Sequence, residues 1–231
     1  MSTKLKPSVT TQYKKCVPHY DLHNRDIGVK KEPFTRATGE SAMKMACVIL
    51  EKAKIKYDEQ KKKRKIKKKL ALVLDIDECS IMNTADPDVT CPNPYVKPVY
   101  DYALELGYKI FFVTARGASN TKHKSLTRDT RNTLLQAGYK KPHIYFQSGD
   151  WYDKTKEKYK SAMRQDLSEK NIIVLTVGDK LSDLSLFKDN ITILLEDKLT
   201  NNDKEVDHQY IFLKGYDRYS IWGWKLPNTE Y

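Results

Sequence analysis

The chain reads as an α/β protein built on a doubly wound parallel sheet, and three observations predict it. Five short apolar runs of 4–7 residues recur after residue 69, each with the length and composition of a strand buried on both faces. Helix-patterned stretches lie between them, and two of these stop at a glycine, the residue that most readily takes a left-handed helix cap. Several of the runs end on acids or hydroxyls, and open α/β sheets place their ligand sites at the carboxyl ends of strands.

The elements follow in order. Residues 1 to about 35 show no periodicity and read as an extended arm. From Ser41 to Lys56 the residues Met43, Ala46, Cys47, Leu50 and Ala53 fall on one helical stripe. A basic run, 61–69, comes next, and then the composition changes abruptly into the strand Leu70–Asp75. A helix over Pro98–Leu106 ends at Gly107, and the strand Lys109–Thr114 follows it. A second helix, Thr121–Ala137, ends at Gly138 and leads into the strand His143–Phe146. A third helix over Thr155–Ser168 precedes the strand Asn171–Val177, and a last strand is expected over Ile191–Leu195. Strands alternating with helices in this way argue for one parallel sheet with right-handed crossovers. There is no internal repeat.

Composition bounds the class. With 231 residues, 39% of them hydrophobic, the chain can build a core. No apolar run approaches the ~20 residues of a membrane span. The first residues carry no secretory signal, and Cys16, Cys47, Cys79 and Cys91 form no CxxC pair. They are expected to be free thiols in a reducing compartment, cytoplasmic or nuclear. The net charge of +12 is uneven: residues 1–70 hold 20 Lys/Arg against 7 Asp/Glu, and residues 71–231 hold 22 against 23. The expected organisation is therefore a basic, partly helical extension over 1–69 and a neutral domain over 70–231.

Four polar constellations sit at or between the strand ends. Asp75-Ile-Asp77 sets two carboxylates just past a buried strand, although an Asp-x-Asp alone equally marks a solvated turn. Thr114-Ala-Arg116-Gly117 offers a hydroxyl and backbone amides suited to phosphate oxygens, or a threonine packed in its strand. Gly178-Asp179-Lys-Leu-Ser-Asp183 can present two acids to a hard cation or cap the helix that begins there. Lys160, in Tyr159-Lys160-Ser161-Ala-Met-Arg164, can neutralise charge during a transfer reaction or lie on a solvated face. Their occurrence together, in order, on separate strands of one sheet is what favours chemistry.

The combination resembles the haloacid dehalogenase (HAD) superfamily, whose fold is a Rossmann-like doubly wound sheet. Within it, the branch that includes class B and C acid phosphatases and plant vegetative storage proteins is most similar. Leu-Val-Leu-Asp75-Ile-Asp77-Glu78 is similar to the first motif and Phe112-Val-Thr114-Ala-Arg116 to the second. Tyr159-Lys160-Ser161-x-x-Arg164 is similar to the third and Gly178-Asp179-x-x-Ser182-Asp183-Leu184 to the fourth. Trp224-Lys-Leu-Pro-Asn228 resembles the branch's C-terminal segment, so the likeness runs over about 68–228. It implies that Asp75 is a nucleophile forming an aspartyl-phosphate and that Asp77 is the general acid and base. It implies Mg²⁺ held by Asp75, the Asp77 carbonyl and Asp179, with Asp183 as a further acid of the site. Thr114, Arg116 and Lys160 would bind phosphoryl oxygens, and Lys160 would also pair with Asp75. Cys79 stands where the family usually has Thr or Ser.

The resemblance also bears on substrate. HAD enzymes select substrates through cap insertions, and only 36 residues lie between Asp77 and Thr114, with 46 from Thr114 to Lys160. Neither interval holds a full cap, so the resemblance implies a HAD-like catalytic domain over 70–231 with a minimal cap and an open site, to which the extension 1–69 could supply a partial cap. Tyr95, Trp151 and Tyr152 read as loop anchors or as stacking partners for a nucleoside. The expected function is a Mg²⁺-dependent phosphatase of small phosphate esters or nucleotides. The alternatives are a phosphatase of nucleic-acid ends or phosphoproteins, and a non-enzymatic binding or storage protein on the same scaffold. The run 61–69 reads as a solvated helix end, as a nucleic-acid or nuclear-localisation patch, or as a device that steers anions to the site.

Overall fold

The strand β2 (Lys69–Leu74) organises the molecule because both of its faces are buried. Leu70, Leu72 and Leu74 enter one hydrophobic cluster, and Ala71 and Val73 enter another on the opposite face, as the two-residue period of a strand requires. A computed structural model describes residues 34–37, 39–63, 66–82, 90–118, 124–147, 156–180, 183–184, 210–214 and 220–226. In chain order, the elements before β2 are β1 (Phe34–Ala37) and α1 (Gly39–Lys63). After it come β3 (Ile81–Met82), β4 (Cys91–Pro92), α2 (Val96–Glu105), β5 (Lys109–Gly117), α3 (Lys124–Gln136) and β6 (Ile144–Gln147). The last are α4 (Lys156–Lys170), β7 (Asn171–Gly178), β8 (Tyr210–Lys214) and β9 (Ser220–Lys225).

Seven strands form one sheet in the order β1-β8-β9-β7-β2-β5-β6. The five from β9 to β6 run parallel, which is the expected Rossmann-like sheet. β8 and β1 extend it antiparallel. The remaining pair, β3 and β4, makes a small antiparallel hairpin beside β2. Helices cover both faces. Residues of α1, α2 and the end of α3 share the larger cluster with Leu72 and Phe112. On the other face Tyr159 and Leu167 of α4, eight residues apart on one helical stripe, pack with Phe111, Val113 and Ile173. Every parallel strand thus starts at one edge of the sheet and ends at the other.

Local chemistry fixes the boundaries. Asn93 accepts from the Tyr95 and Val96 amides through Oδ1 at 3.0 and 3.2 Å, which caps the first turn of α2. The expected helix stops at Gly107 and Gly138 are observed with φ of +79° and +82°, the left-handed geometry that glycine takes without strain. α1 is longer than its apolar stripe and carries Lys61, Lys62 and Lys63 in its last turn, where cations face the negative end of the helix dipole. The basic run is therefore the end of a helix followed by the start of a strand. Ala42, Met43, Ala46, Cys47, Ile49 and Leu50 of the same helix are buried in the main cluster.

One expectation changes, and one of two open readings is decided. Cys91 is disulfide-bonded, so the reading of four free thiols is corrected, and with it goes the argument from cysteines to a reducing compartment. Cys47 and Cys79 are free and buried. Tyr95 is an anchor: its buried ring lies so close to Gly39 that an added Cβ there would sit 2.5 Å from Cε2. The expected strand at 191–195 and the aromatics Trp151 and Tyr152 lie outside the described residues. Among the described residues no helix is long and apolar enough to cross a membrane.

Since Leu50 is fully buried against the sheet, Leu50→Ala should lower stability by about 2–5 kcal/mol through lost burial and a residual cavity. Urea unfolding followed by circular dichroism measures it. A single transition with an unchanged slope is the expected form, because α1 shares its core with β2 and β7.

Candidate active site

Continuing the alternation of β2, Asp75 falls on the face of Ala71 and Val73, which α4 covers. Its amide donates to the Val177 carbonyl at 2.9 Å, so the β2–β7 ladder holds its backbone. On α4, Lys160 and Arg164 are one turn apart and both buried, beside the apolar stripe of Tyr159 and Leu167. Lys160 Nζ lies 2.9 Å from Asp75 Oδ1 and also donates to Asp183 Oδ1. Asp179 follows β7 directly. Asp183 is turned back toward the strand end, where its Oδ2 accepts from the Lys180 amide at 3.2 Å. One oxygen each from Asp75, Asp179 and Asp183 lie within 4.8 Å of one another, and all three residues are buried. Gly178 makes that approach possible, because a Cβ there would sit 2.2 Å from Asp183 Cβ.

Electrostatics sharpen the picture. Burial, the charge of Asp183 and the weaker opposing effect of Lys160 push Asp75 up to about 7. Burial together with Asp183 and Asp75 pushes Asp179 up to about 8. Burial would raise Asp183 too, but the Lys160 charge and hydrogen bond, the Lys180 amide and Arg164 hold it below the usual carboxylate range. For Lys160, burial opposes the charge, yet Asp183 and Asp75 raise its pKa above that of a free lysine. Three carboxylates around one ammonium leave excess negative charge in a low-dielectric pocket, the donor set that suits a hard divalent cation.

A second group stands beside the first. Asp77 is half-exposed and outside the carboxylate cluster. The Arg116 Nε lies 3.1 Å from each of its carboxylate oxygens, and Nη2 donates to Oδ1 as well. Arg116 Nη1 donates to Thr130 Oγ1 of α3 at 3.0 Å, and its amide donates to Thr114 Oγ1 at 3.1 Å. Thr114 is fully buried, two residues beyond Phe112, the register partner of Leu74. The structure thus gathers Asp75, Lys160, Asp179 and Asp183 into one contact network and Asp77, Arg116 and Thr114 into another. Thr130, Arg164 and Ser80 were not singled out as site residues by sequence reasoning. Only Arg164 left a signal, its helical spacing from Lys160.

The loop carrying Asp75 is held from behind. Ser80 donates through Oγ to the Asp75 carbonyl at 2.6 Å and accepts at its own carbonyl from Tyr139 Oη at 2.8 Å. Glu78 takes a φ of 54° in the tight turn, which is uncommon for a residue with a side chain. Cys79 is fully buried, its thiol 3.5 Å from the Val177 carbonyl. Burial and the neighbouring aspartates push that thiol well above its ordinary value. It stays protonated and serves packing, not nucleophilic attack.

Two outcomes are expected. Gly178→Ala should displace Asp183 and weaken divalent-cation binding by at least about tenfold, measured by calorimetric titration. Between the ordinary 3.8 and the raised values of about 7 and about 8, folded Asp75 and Asp179 retain protons that the unfolded chain has lost. The metal-free protein should therefore lose stability as pH rises from about 5 to about 8. Scanning calorimetry in chelator should show Tm falling across that window, and a divalent cation should restore more Tm at the alkaline end. Asp183, shifted the other way, contributes stability that disappears only in stronger acid.

A model of the HAD superfamily, subfamily IIIB (acid phosphatase), matches residues 89–229. No curated protein sequence matches the chain. The matched span contains Thr114, Arg116, Lys160, Asp179 and Asp183, and Asp75 and Asp77 precede it. Because that match covers more than half of a chain whose sheet gathers acids and a lysine at its strand ends, this protein belongs to the HAD superfamily, subfamily IIIB, the acid phosphatases, and is a phosphomonoesterase hydrolase.

Proposed function

We propose that the chain is a Mg²⁺-dependent phosphatase that hydrolyses phosphate monoesters through an aspartyl-phosphate on Asp75. The observation that carries this reading is the buried contact of Lys160 with both Asp75 and Asp183, beside Asp179. Asp75, the Asp77 carbonyl, Asp179 and Asp183 would hold Mg²⁺. When bound, the ion supplies charge neutralisation for the transferring phosphoryl group and keeps nearby carboxylates ionised.

The chain's own groups supply the rest. Asp75 Oδ attacks phosphorus, and the bond from phosphorus to the ester oxygen breaks. That oxygen leaves with the proton of Asp77. Water then attacks the aspartyl-phosphate, Asp77 takes its proton, and inorganic phosphate departs with Asp75 regenerated. Lys160 and the Thr114 hydroxyl bind the phosphoryl oxygens, where positioning and charge stabilisation do most of the catalysis in phosphoryl transfer. Arg116 joins them by exchanging its contact with Asp77 for one with phosphate. The Asp77 carboxylate is then free to face the leaving group.

The substrate class we infer is small phosphate esters or nucleotides. The short intervals between the motifs leave little chain for a cap, which favours an uncovered site. The same openness admits a second reading, in which the phosphate is carried on a nucleic-acid end or a phosphoprotein.

Release of phosphate from an aryl phosphate with Mg²⁺ is the test. Asp75→Asn should reduce kcat by at least about 10³-fold while the thermal transition persists. Asp77→Asn should cost most with poor leaving groups and least with an activated aryl ester. A wild-type protein that releases no phosphate with any divalent cation would identify the scaffold as a binding or storage protein instead.

A further inference from the structure

The parallel topology sends the basic residues to the edge of the sheet opposite the carboxylates. Asp75 lies six residues beyond Lys69, about 20 Å along an extended strand. α1 ends at the far edge: Tyr57 Oη donates to the Lys68 carbonyl at 2.9 Å, which fixes the helix end against the start of β2. Lys61, Lys62 and Lys63 of its last turn are exposed there. So are Lys67, Lys68 and Lys69, and Lys68 Nζ reaches the Ser168 carbonyl of α4 at 2.8 Å.

The neighbouring strands add to the cluster. Lys109 begins β5 opposite Ala71 in the β2 register. Lys140 and Lys141 precede β6, and Lys170 ends α4 beside β7. All four are exposed. Among the described residues, ten exposed lysines thus share one edge with four carboxylates, Asp58, Glu59, Glu105 and Glu169, of which Asp58 is paired with Lys54. With strands about 4.8 Å apart, β7, β2, β5 and β6 spread this charge over roughly 15 Å.

We propose that this lysine edge is a docking surface for the phosphate backbone of a nucleic acid. A row of mobile ammonium groups with few opposing acids neutralises phosphates and releases their counterions, without reading sequence. Charge alone attracts a protein to an anionic bilayer, but stable anchoring adds an apolar face or a lipid chain. Ile55, Leu104 and Leu135 are exposed on the helices near this edge, and Leu104 lines a concave pocket with Tyr100, Ile110, Phe112 and Pro142 beside Lys140 and Lys141. Separate side chains and a concave pocket do not make a continuous apolar face. The surface is independent of the reaction proposed above. If both hold, it tethers a polyanion about one strand length from the catalytic carboxylates.

The test compares two triple variants of the full chain. Lys62→Gln/Lys109→Gln/Lys141→Gln removes charge from the edge. Lys44→Gln/Lys52→Gln/Arg128→Gln removes the same charge elsewhere. Binding of fluorescein-labelled 20-nucleotide RNA and 20-base-pair DNA is followed by anisotropy from 50 to 200 mM salt. The edge variant should lose about tenfold or more in affinity, and its log–log salt slope should become shallower by about 3, while the control variant should keep most of both. Equal loss in the two variants, or no binding by wild type, overturns the proposal. So does binding that appears only on phosphatidylserine vesicles, which would assign the edge to a membrane. Aryl-phosphate turnover, measured alongside, should be unchanged in both variants, so failure of docking and failure of the phosphatase reading remain distinguishable.

Discussion

The site depends on one buried ammonium. Lys160 sits between Asp75 and Asp183, inside a protein interior where three carboxylates would otherwise repel one another without water to screen them. Taking such charges out of water costs several kcal/mol each unless partners compensate. Every element of the core contributes to that compensation. The two-sided burial of β2 brings Asp75 to the sheet's end, and the apolar stripe of α4 orients Lys160 toward it. The smallness of Gly178 lets Asp183 fold back on β7. Arg164, one turn below Lys160, adds a second positive charge that reaches Asp183. With so little cation beside them, burial and mutual repulsion raise Asp75 to about 7 and Asp179 to about 8, so these acids hold protons that a bound cation would displace.

Much of this was legible in the chain. Fully buried parallel strands are short, apolar and terminate in polar residues, so β2, β5, β6 and β7 could be read within a residue or two at most ends. Glycines with left-handed φ marked the ends of α2 and α3. Asp75, Lys160, Asp179 and Asp183 stood out only in combination, each at or between strand ends, and their roles were carried by the resemblance of the motifs and not by periodicity. What escaped was non-local. β1, β8 and β9 are strands because of what they pair with, and Phe34–Ala37 has no alternation of its own long enough to announce one. The Arg116 contact with Asp77 and Thr130 joins residues 39 and 14 positions away, through side-chain reach that spacing does not encode. The disulfide at Cys91 also escaped, since isolated cysteines carry no pairing information.

The charge of the chain takes on a geometry once the topology is known. Alternating strands and helices return the polypeptide to the same edge before each parallel strand, and lysines recur at those returns. The acids recur where the strands finish. One pole of the sheet is therefore positive and solvated, and the other is negative and partly desolvated. A net value of +12 conceals this separation, which matters for approach and orientation more than for stability.

The antiparallel extension of the sheet has a consequence for how the molecule assembles. β1 pairs with β8, Phe34 standing opposite Leu213, so one border of the sheet joins segments from near the two ends of the chain. Contacts of such sequence separation carry a large loop-closure entropy and form slowly. On the ribosome, the segment containing β1 would emerge long before its partner and wait through the synthesis of the whole parallel sheet. The parallel strands from β2 to β7 can associate while the chain is still growing, and this border is completed only once β8 has been made. Its pairing therefore closes the sheet late in assembly, after the parallel strands that carry the site.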